Sequence, residues 1–157
     1  MRRKHSRLAC IIGLFLWSAL GADDFYLGTW KIASATIAPW WADKANAPDP
    51  AERNTLLGNL LVIKPNGIDG PRQVVCRTAK YKVVDYPADM LFQGMFGEMH
   101  QRNKTVEPAK VAAQVGFRGS KWKTLETGCG NELDYHFLDP STTSFGLNNY
   151  IYILKKQ

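Results

Sequence analysis

Glu132, Asp134 and His136 occupy alternate positions in one short run of the chain. On an extended strand such positions project from the same face. Two carboxylates and an imidazole side by side suit a metal site or a general acid–base pair. The alternation also has a simpler cause. Leu133, Tyr135 and Phe137 interleave with the three polar residues, and a half-buried strand needs polar groups opposite its apolar face. The pattern predicts a strand whose polar face is solvated.

The other reactive side chains are sparse. Past the first 22 residues the histidines are His100 and His136. A Ser-His-acid triad would need one of them beside Ser34, Ser120, Ser141 or Ser144, and nothing local brings such a pair together. Glu98 near His100 reads as surface loop. No G-x-S-x-G elbow, H-E-x-x-H pair or phosphate loop occurs. A carboxylate pair for glycoside hydrolysis leaves no local signature, because its members are often distant in sequence. Cys76 and Cys129 have neither zinc-ligand spacing nor a C-x-x-C arrangement. An even pair in an oxidising compartment reads as one disulfide. No catalytic residue, metal site or cofactor is assigned.

Two apolar segments stand out as binding candidates. Trp40 and Trp41 lie among Pro39, Pro48 and Pro50, and a second segment holds Met90, Leu91, Phe92, Met95 and Phe96. Rigid aromatics and adaptable methionines on loops suit a ligand mouth or a protein-binding patch. Folding of both loops over the core as lids explains them equally well. Trp40, Trp41, Phe92, Met95 and Phe96 are the candidate binding residues.

The elements that would position these residues are mostly strands. Phe25 to Ile37, Leu60 to Lys64, Val74 to Val84, Lys121 to Thr127, Leu133 to Phe137 and Ser144 to Lys155 are β-branched, aromatic or alternating runs. Asp49-Pro50-Ala51-Glu52 reads as a helix start with Asp49 as cap, and Gly58 ends that helix. Thr105 to Gly116 reads as a second short helix. Pro87 to Phe96, an apolar stretch punctuated by Gly94, fits neither period. The fold class is mainly β, an antiparallel barrel or sandwich with one or two short helices.

Within the first strand, Gly28-Thr29-Trp30 resembles the G-x-W opening of lipocalin-like (calycin-type) barrels. The resemblance covers about eight residues of this chain. It implies that Trp30 plugs the closed end of a barrel and that Gly28 lets the backbone bend. Asp85-Tyr86 is similar to the internal T-D-Y of that family, with Val84 in place of the threonine. The long C-terminal helix of standard lipocalins is absent from the pattern, which implies a minimal bacterial relative.

The N-terminal stretch has its own signature. Arg2, Arg3, Lys4 and Arg7 precede a charge-free apolar run of 13 residues, Leu8 to Leu20, and then Gly21 and Ala22. This is the pattern of a cleavable export signal. As a helix the run rises only about 20 Å, short of the roughly 30 Å hydrocarbon core, so no stable anchor is expected. Cys10 begins the apolar run and is misplaced for lipidation. Residues 1–22 are read as the signal peptide and 23–157 as one β-rich domain, periplasmic or secreted. The leader holds four of the 20 basic residues and none of the 14 acidic ones, leaving 16 against 14, a balance of +2. That small excess, without a basic cluster, argues against nucleic acid as a partner. The expected role is a binding or inhibitor module for an apolar small molecule or a protein partner such as a cell-wall hydrolase. A small cell-envelope hydrolase using carboxylates or His136 is the second reading. Exported protein should begin at Ala22 or Asp23, as N-terminal sequencing or intact mass would show. A retained Met1 would contradict export with cleavage.

Overall fold

A computed structural model describes residues 24–42 and 46–157; the leader lies outside these residues. Eight strands form among them: β1 (Gly28–Ile37), β2 (Leu60–Lys64), β3 (Gly67–Asp69), β4 (Lys82–Tyr86), β5 (Trp122–Glu126), β6 (Tyr135–Asp139), β7 (Thr142–Leu147) and β8 (Tyr150–Lys156). All neighbours are antiparallel, and the order β3-β2-β1-β8-β7-β6-β5-β4 makes one curled half-barrel sheet. The mainly β, antiparallel expectation holds. Within this sheet one pairing alone joins strands that are not successive in the chain, β1 with β8. A register shift between Ile32 and Ser34 in β1 bends the strand and raises its local twist.

Two hairpins explain where sequence reading divided the strands wrongly. Ser144 to Lys155 is not one strand but β7 and β8, reversed at Asn148-Asn149 with Asn148 at φ 50°. Asparagine tolerates the left-handed conformation that tight hairpin turns demand. Pro65-Asn66 likewise reverses β2 into the short β3, which the sequence reading missed. The run Val74 to Val84 is not one strand either. Only its last part enters β4, and Cys76 pairs as an isolated bridge with Ile68 of β3. The reason is topological, since residues 70–81 must cross from one sheet edge, β3, to the other, β4.

That crossing segment is tied at both ends. Ala79 N–H donates to Asn66 O at 2.9 Å, and Lys80 N–H donates to Thr127 O at 2.8 Å. The Tyr81 hydroxyl donates to Gly67 O at 2.8 Å. The Cys76–Cys129 disulfide, with Cα atoms 5.9 Å apart, links the β3 side to the loop after β5. The expected pairing is present, and it bridges the open side of the half-barrel.

Both faces of the sheet are covered. The concave face gathers Trp30, Ile32, Leu61, Ile63, Ile68, Leu125, Tyr135, Phe137, Phe145, Tyr152 and Leu154 into one core. Helix α1 (Pro50–Leu56) closes part of it with Leu56, and Asp49 caps that helix by accepting from Ala51 N–H at 2.9 Å. The opposite face carries Ile151, Trp122 and Tyr86 under two further helices, α2 (Leu91–Arg102) and α3 (Pro108–Gln114). Each fully buried large side chain contributes roughly 1.5–3 kcal/mol. The covalent bridge adds to this by restricting the unfolded chain. Cys76→Ser should lower the unfolding free energy by about 2–5 kcal/mol, measured by urea denaturation of the oxidised protein. An unchanged midpoint would mean that the hydrogen bonds of the crossing segment suffice alone.

Candidate functional site

His136 does not face solvent. It is fully buried between the sheet and α2, which corrects the expectation of a solvated polar face on β6. The error has a clear cause: alternation presumes one covered face, and here Leu133, Tyr135 and Phe137 pack on one side while a helical layer covers the other. The ring lies 4.8 Å from Phe92 and 5.9 Å from Tyr86, centroid to centroid. Phe92 N–H donates to His136 Nε2 at 2.9 Å, and Nδ1 lies 2.8 Å from Thr124 Oγ1. A backbone amide can only donate, so Nε2 is unprotonated. The neutral ring then carries its proton on Nδ1 and donates it to Thr124. Burial pushes the imidazole pKa down to about 3, because a charged ring would be desolvated and lose its acceptor.

This hydrogen bond holds an unusual turn. Phe92, Gln93 and Gly94 sit consecutively at φ 54°, 57° and 78° at the start of α2. A left-handed non-glycine residue costs about 1–2 kcal/mol. Burying the Phe92 ring returns about 1.5–3 kcal/mol, and the bond to His136 about 1 kcal/mol. Gly146 of β7 provides the room, since a Cβ there would meet Phe92 Cδ1 and Trp40 Cη2 at 3.2 Å. The strained turn is therefore sustained by packing, and it pushes the exposed Gln93 side chain toward the loop after β5, where Nε2 donates to Glu132 O at 2.9 Å.

Next to that contact lies a polar cleft of about 510 Å³. Lys80 and Lys82 come from the crossing segment and β4, Tyr86 from β4, Glu126 from β5, and Glu132 and Asp134 from the β5–β6 loop. Tyr86 donates its hydroxyl to Glu126 Oε1 at 2.8 Å, and Lys82 Nζ lies 3.8 Å from Glu126 Oε2. Burial, the bond to Glu126 and nearby carboxylates raise the Tyr86 pKa, so the phenol stays protonated. Asp134 Oδ1 accepts Thr127 N–H at 3.3 Å. Burial outweighs that bond, and with Glu126 nearby it raises the Asp134 pKa to about 6. The cleft thus combines a carboxylate held by a phenol and an ammonium with a second carboxyl whose pKa burial raises to about 6.

Among the described residues, three of the four non-glycine positions at positive φ cluster here: Phe92 beneath the cleft, and Gln93 and Glu132 lining it. Strained backbone persists where surroundings over-determine it, and such positions concentrate at functional sites. The structure therefore separates the roles of Glu132, Asp134 and His136. Asp134 and the exposed Glu132, at φ 56°, both line the cleft, whereas His136 lies buried against Phe92. Among the described residues no group of His, Cys, Asp and Glu is arranged to hold a metal ion. Glu126, Lys82 and Tyr86 escape a reading of the sequence because their contribution depends on the β4–β5 pairing that sets Lys82 opposite Glu126.

The five apolar candidates are placed differently from a loop patch. Met90 to Phe96 is a 3₁₀ turn (Ala88–Met90) leading into α2, and Phe92 and Phe96 are fully buried. Trp40 lies 5.8 Å and 6.1 Å from their rings, and half-buried Met95 packs on the same cluster. Trp41 is half-buried and donates Nε1–H to Asn46 O at 3.0 Å. Four of the five thus meet in one cluster, whose two phenylalanines are core rather than exposed surface. No protein-family model, curated protein or solved structure matches this chain significantly.

The buried imidazole has a measurable signature. Its native pKa lies below the unfolded value of about 6.5. The unfolded chain therefore binds a proton that the native state refuses, and stability from this group is complete above that value and lost as pH falls. In His136→Gln the amide oxygen can accept from Phe92 N–H without titrating. The stability advantage of the parent over this variant should rise by roughly 1.4 kcal/mol per pH unit between about pH 4 and 6. Urea denaturation across that range checks it, and parallel profiles would mean a hydrated, freely titrating ring.

Proposed function

We propose that this protein is an exported binding module that captures a polar ligand, or a polar segment of a partner protein, in the Glu126–Asp134 cleft. The observation that carries this reading is the convergence of strained residues, Gln93 and Glu132, with two carboxyls, a phenol and two lysines on one concavity. Protein–ligand sites combine concavity with a few placed polar groups in this way. The disulfide supports an extracytoplasmic setting, and no helix among the described residues is long and apolar enough to cross a membrane.

Capture of an apolar molecule inside the half-barrel is poorly supported, because Trp30, Tyr135, Phe145 and Tyr152 fill the interior. The lipocalin-like reading retains the support of Gly28 at φ 121° and of Trp30, fully buried with its indole N–H donated to Tyr26 O at 2.9 Å. A hydrolase reading is favoured by one observation, the Asp134 carboxyl with its pKa raised to about 6 beside Glu126. In that reading Asp134 donates a proton to the leaving group and Glu126 activates water.

Titrating labelled protein with solubilised peptidoglycan fragments, followed by amide NMR, separates the two. Binding should shift the Gln93, Thr127, Gly128 and Asp134 amides, and Glu126→Gln with Asp134→Asn should weaken it by about tenfold or more, the worth of one charged hydrogen bond. Fragment turnover that drops by about 100-fold in Asp134→Asn alone would establish the hydrolase. Shifts confined to other surfaces would remove the cleft from consideration.

A further inference from the structure

A second concavity lies at the other end of β5 and β6, where Trp122 begins one strand and Leu138 and Asp139 finish the other. Its volume is about 400 Å³, within the range of small-ligand sites. Phe25, Trp122, Phe137 and Leu138 form the apolar floor. The floor is rigid: Phe137 packs edge-on against Phe25 at 4.7 Å and Trp30 at 5.7 Å, and Trp122 against Phe117 at 5.4 Å.

Charge gathers only at the rim. Arg118, Lys121, Lys123 and Asp139 line it. Two of these are already committed. Lys123 Nζ pairs with Asp85 at 2.9 Å, and Asp139 Oδ1 accepts Ser141 N–H at 2.8 Å and Ser141 Oγ at 2.7 Å. Among the described residues Arg118 and Lys121 have no ionic partner. The loop from α3 to β5 thus places two uncompensated cations beside an apolar wall. Low-dielectric walls strengthen the attraction of such charges for an anion, and the floor rewards burial of an apolar body.

We propose that this concavity binds a monomeric amphipathic anion, an aliphatic chain or ring bearing one anionic head. The chain would lie on Phe25, Trp122, Phe137 and Leu138, with its head between Arg118 and Lys121. A bilayer surface fits the site poorly, because Trp122 and Phe137 are recessed, with 6% and 4% of their surface exposed. A slim chain reaches them; a flat membrane does not. This site stands independently of the polar cleft at the opposite strand ends.

Calorimetry with octanoate, octanamide and octylamine tests it, since the three share one chain and differ in head-group charge. Octanoate should bind one-to-one, about tenfold or more tighter than octanamide, a difference of about 1.4 kcal/mol, with octylamine weakest. Arg118→Ala combined with Lys121→Ala changes exposed side chains only, and should weaken octanoate by about tenfold while leaving the melting temperature in place. Equal affinity for octanoate and octanamide would overturn the proposal, as would an unaffected double variant. Sedimentation with phosphatidylglycerol vesicles without one-to-one octanoate binding would assign the cations to a membrane surface and overturn it too.

Discussion

Every strand neighbour in this sheet is also a neighbour in sequence, except β1 and β8. Pairing of successive strands builds β1-β2-β3 on one side and β4-β5-β6-β7-β8 on the other, with α1 inserted between β1 and β2 and α2 and α3 between β4 and β5. The ladder from Trp30↔Lys156 to Ile37↔Tyr150 joins the two sets. Without it the concave core would divide, because Trp30, Ile32, Leu61 and Ile63 come from one set and Tyr135, Phe137, Phe145 and Tyr152 from the other. Lys156 adds to the closure at the strand end. Its Nζ lies 5.3 Å from the Trp30 ring centroid, within reach of a cation–π attraction.

Once the sheet is joined, its edges β3 and β4 are left to be satisfied. Exposed edges invite pairing with other chains. Residues 70–81 lie between the two, bridging to Ile68 through Cys76 and to Thr127 through Lys80. The disulfide fixes that strap covalently, and Cys129 at its far end also lines the polar cleft. Bridging the open side of the half-barrel and shaping the cleft are thus the work of the same loop pair.

Much of this was legible from residue patterns and some was not. The strands at β1, β2, β5 and β6, the capped helix at Asp49, the helix within 105–116 and the Cys76–Cys129 bridge all follow from local periodicity, capping chemistry or cysteine count. The turn at Asn148-Asn149 was also encoded locally, in a pair of residues tolerant of positive φ, yet the flanking apolar run masked it. His136 was beyond local reading. Its burial depends on α2 crossing above β6, a contact between residues 44 positions apart. Asp134 was visible as a polar residue, but its raised pKa comes first from the desolvation that the surrounding fold imposes and only then from nearby Glu126. Phe92 and Phe96 misled for a related reason: glycine and left-handed residues broke the helical period and gave a buried segment the look of a loop.

The β1–β8 ladder also sets a timetable. A chain emerging N-terminus first can pair β1 with β2 early, but the other edge of β1 has no partner until residues 150–156 arrive. Pairing so distant in sequence is slow, because the loop entropy must be lost before the contacts form. Through that interval Trp30, Ile32 and the β1 backbone are open to wrong partners. The β4–β8 meander, by contrast, can assemble from successive neighbours and present β8 as a ready template. In this fold the last strand to be made decides when the first one becomes safe.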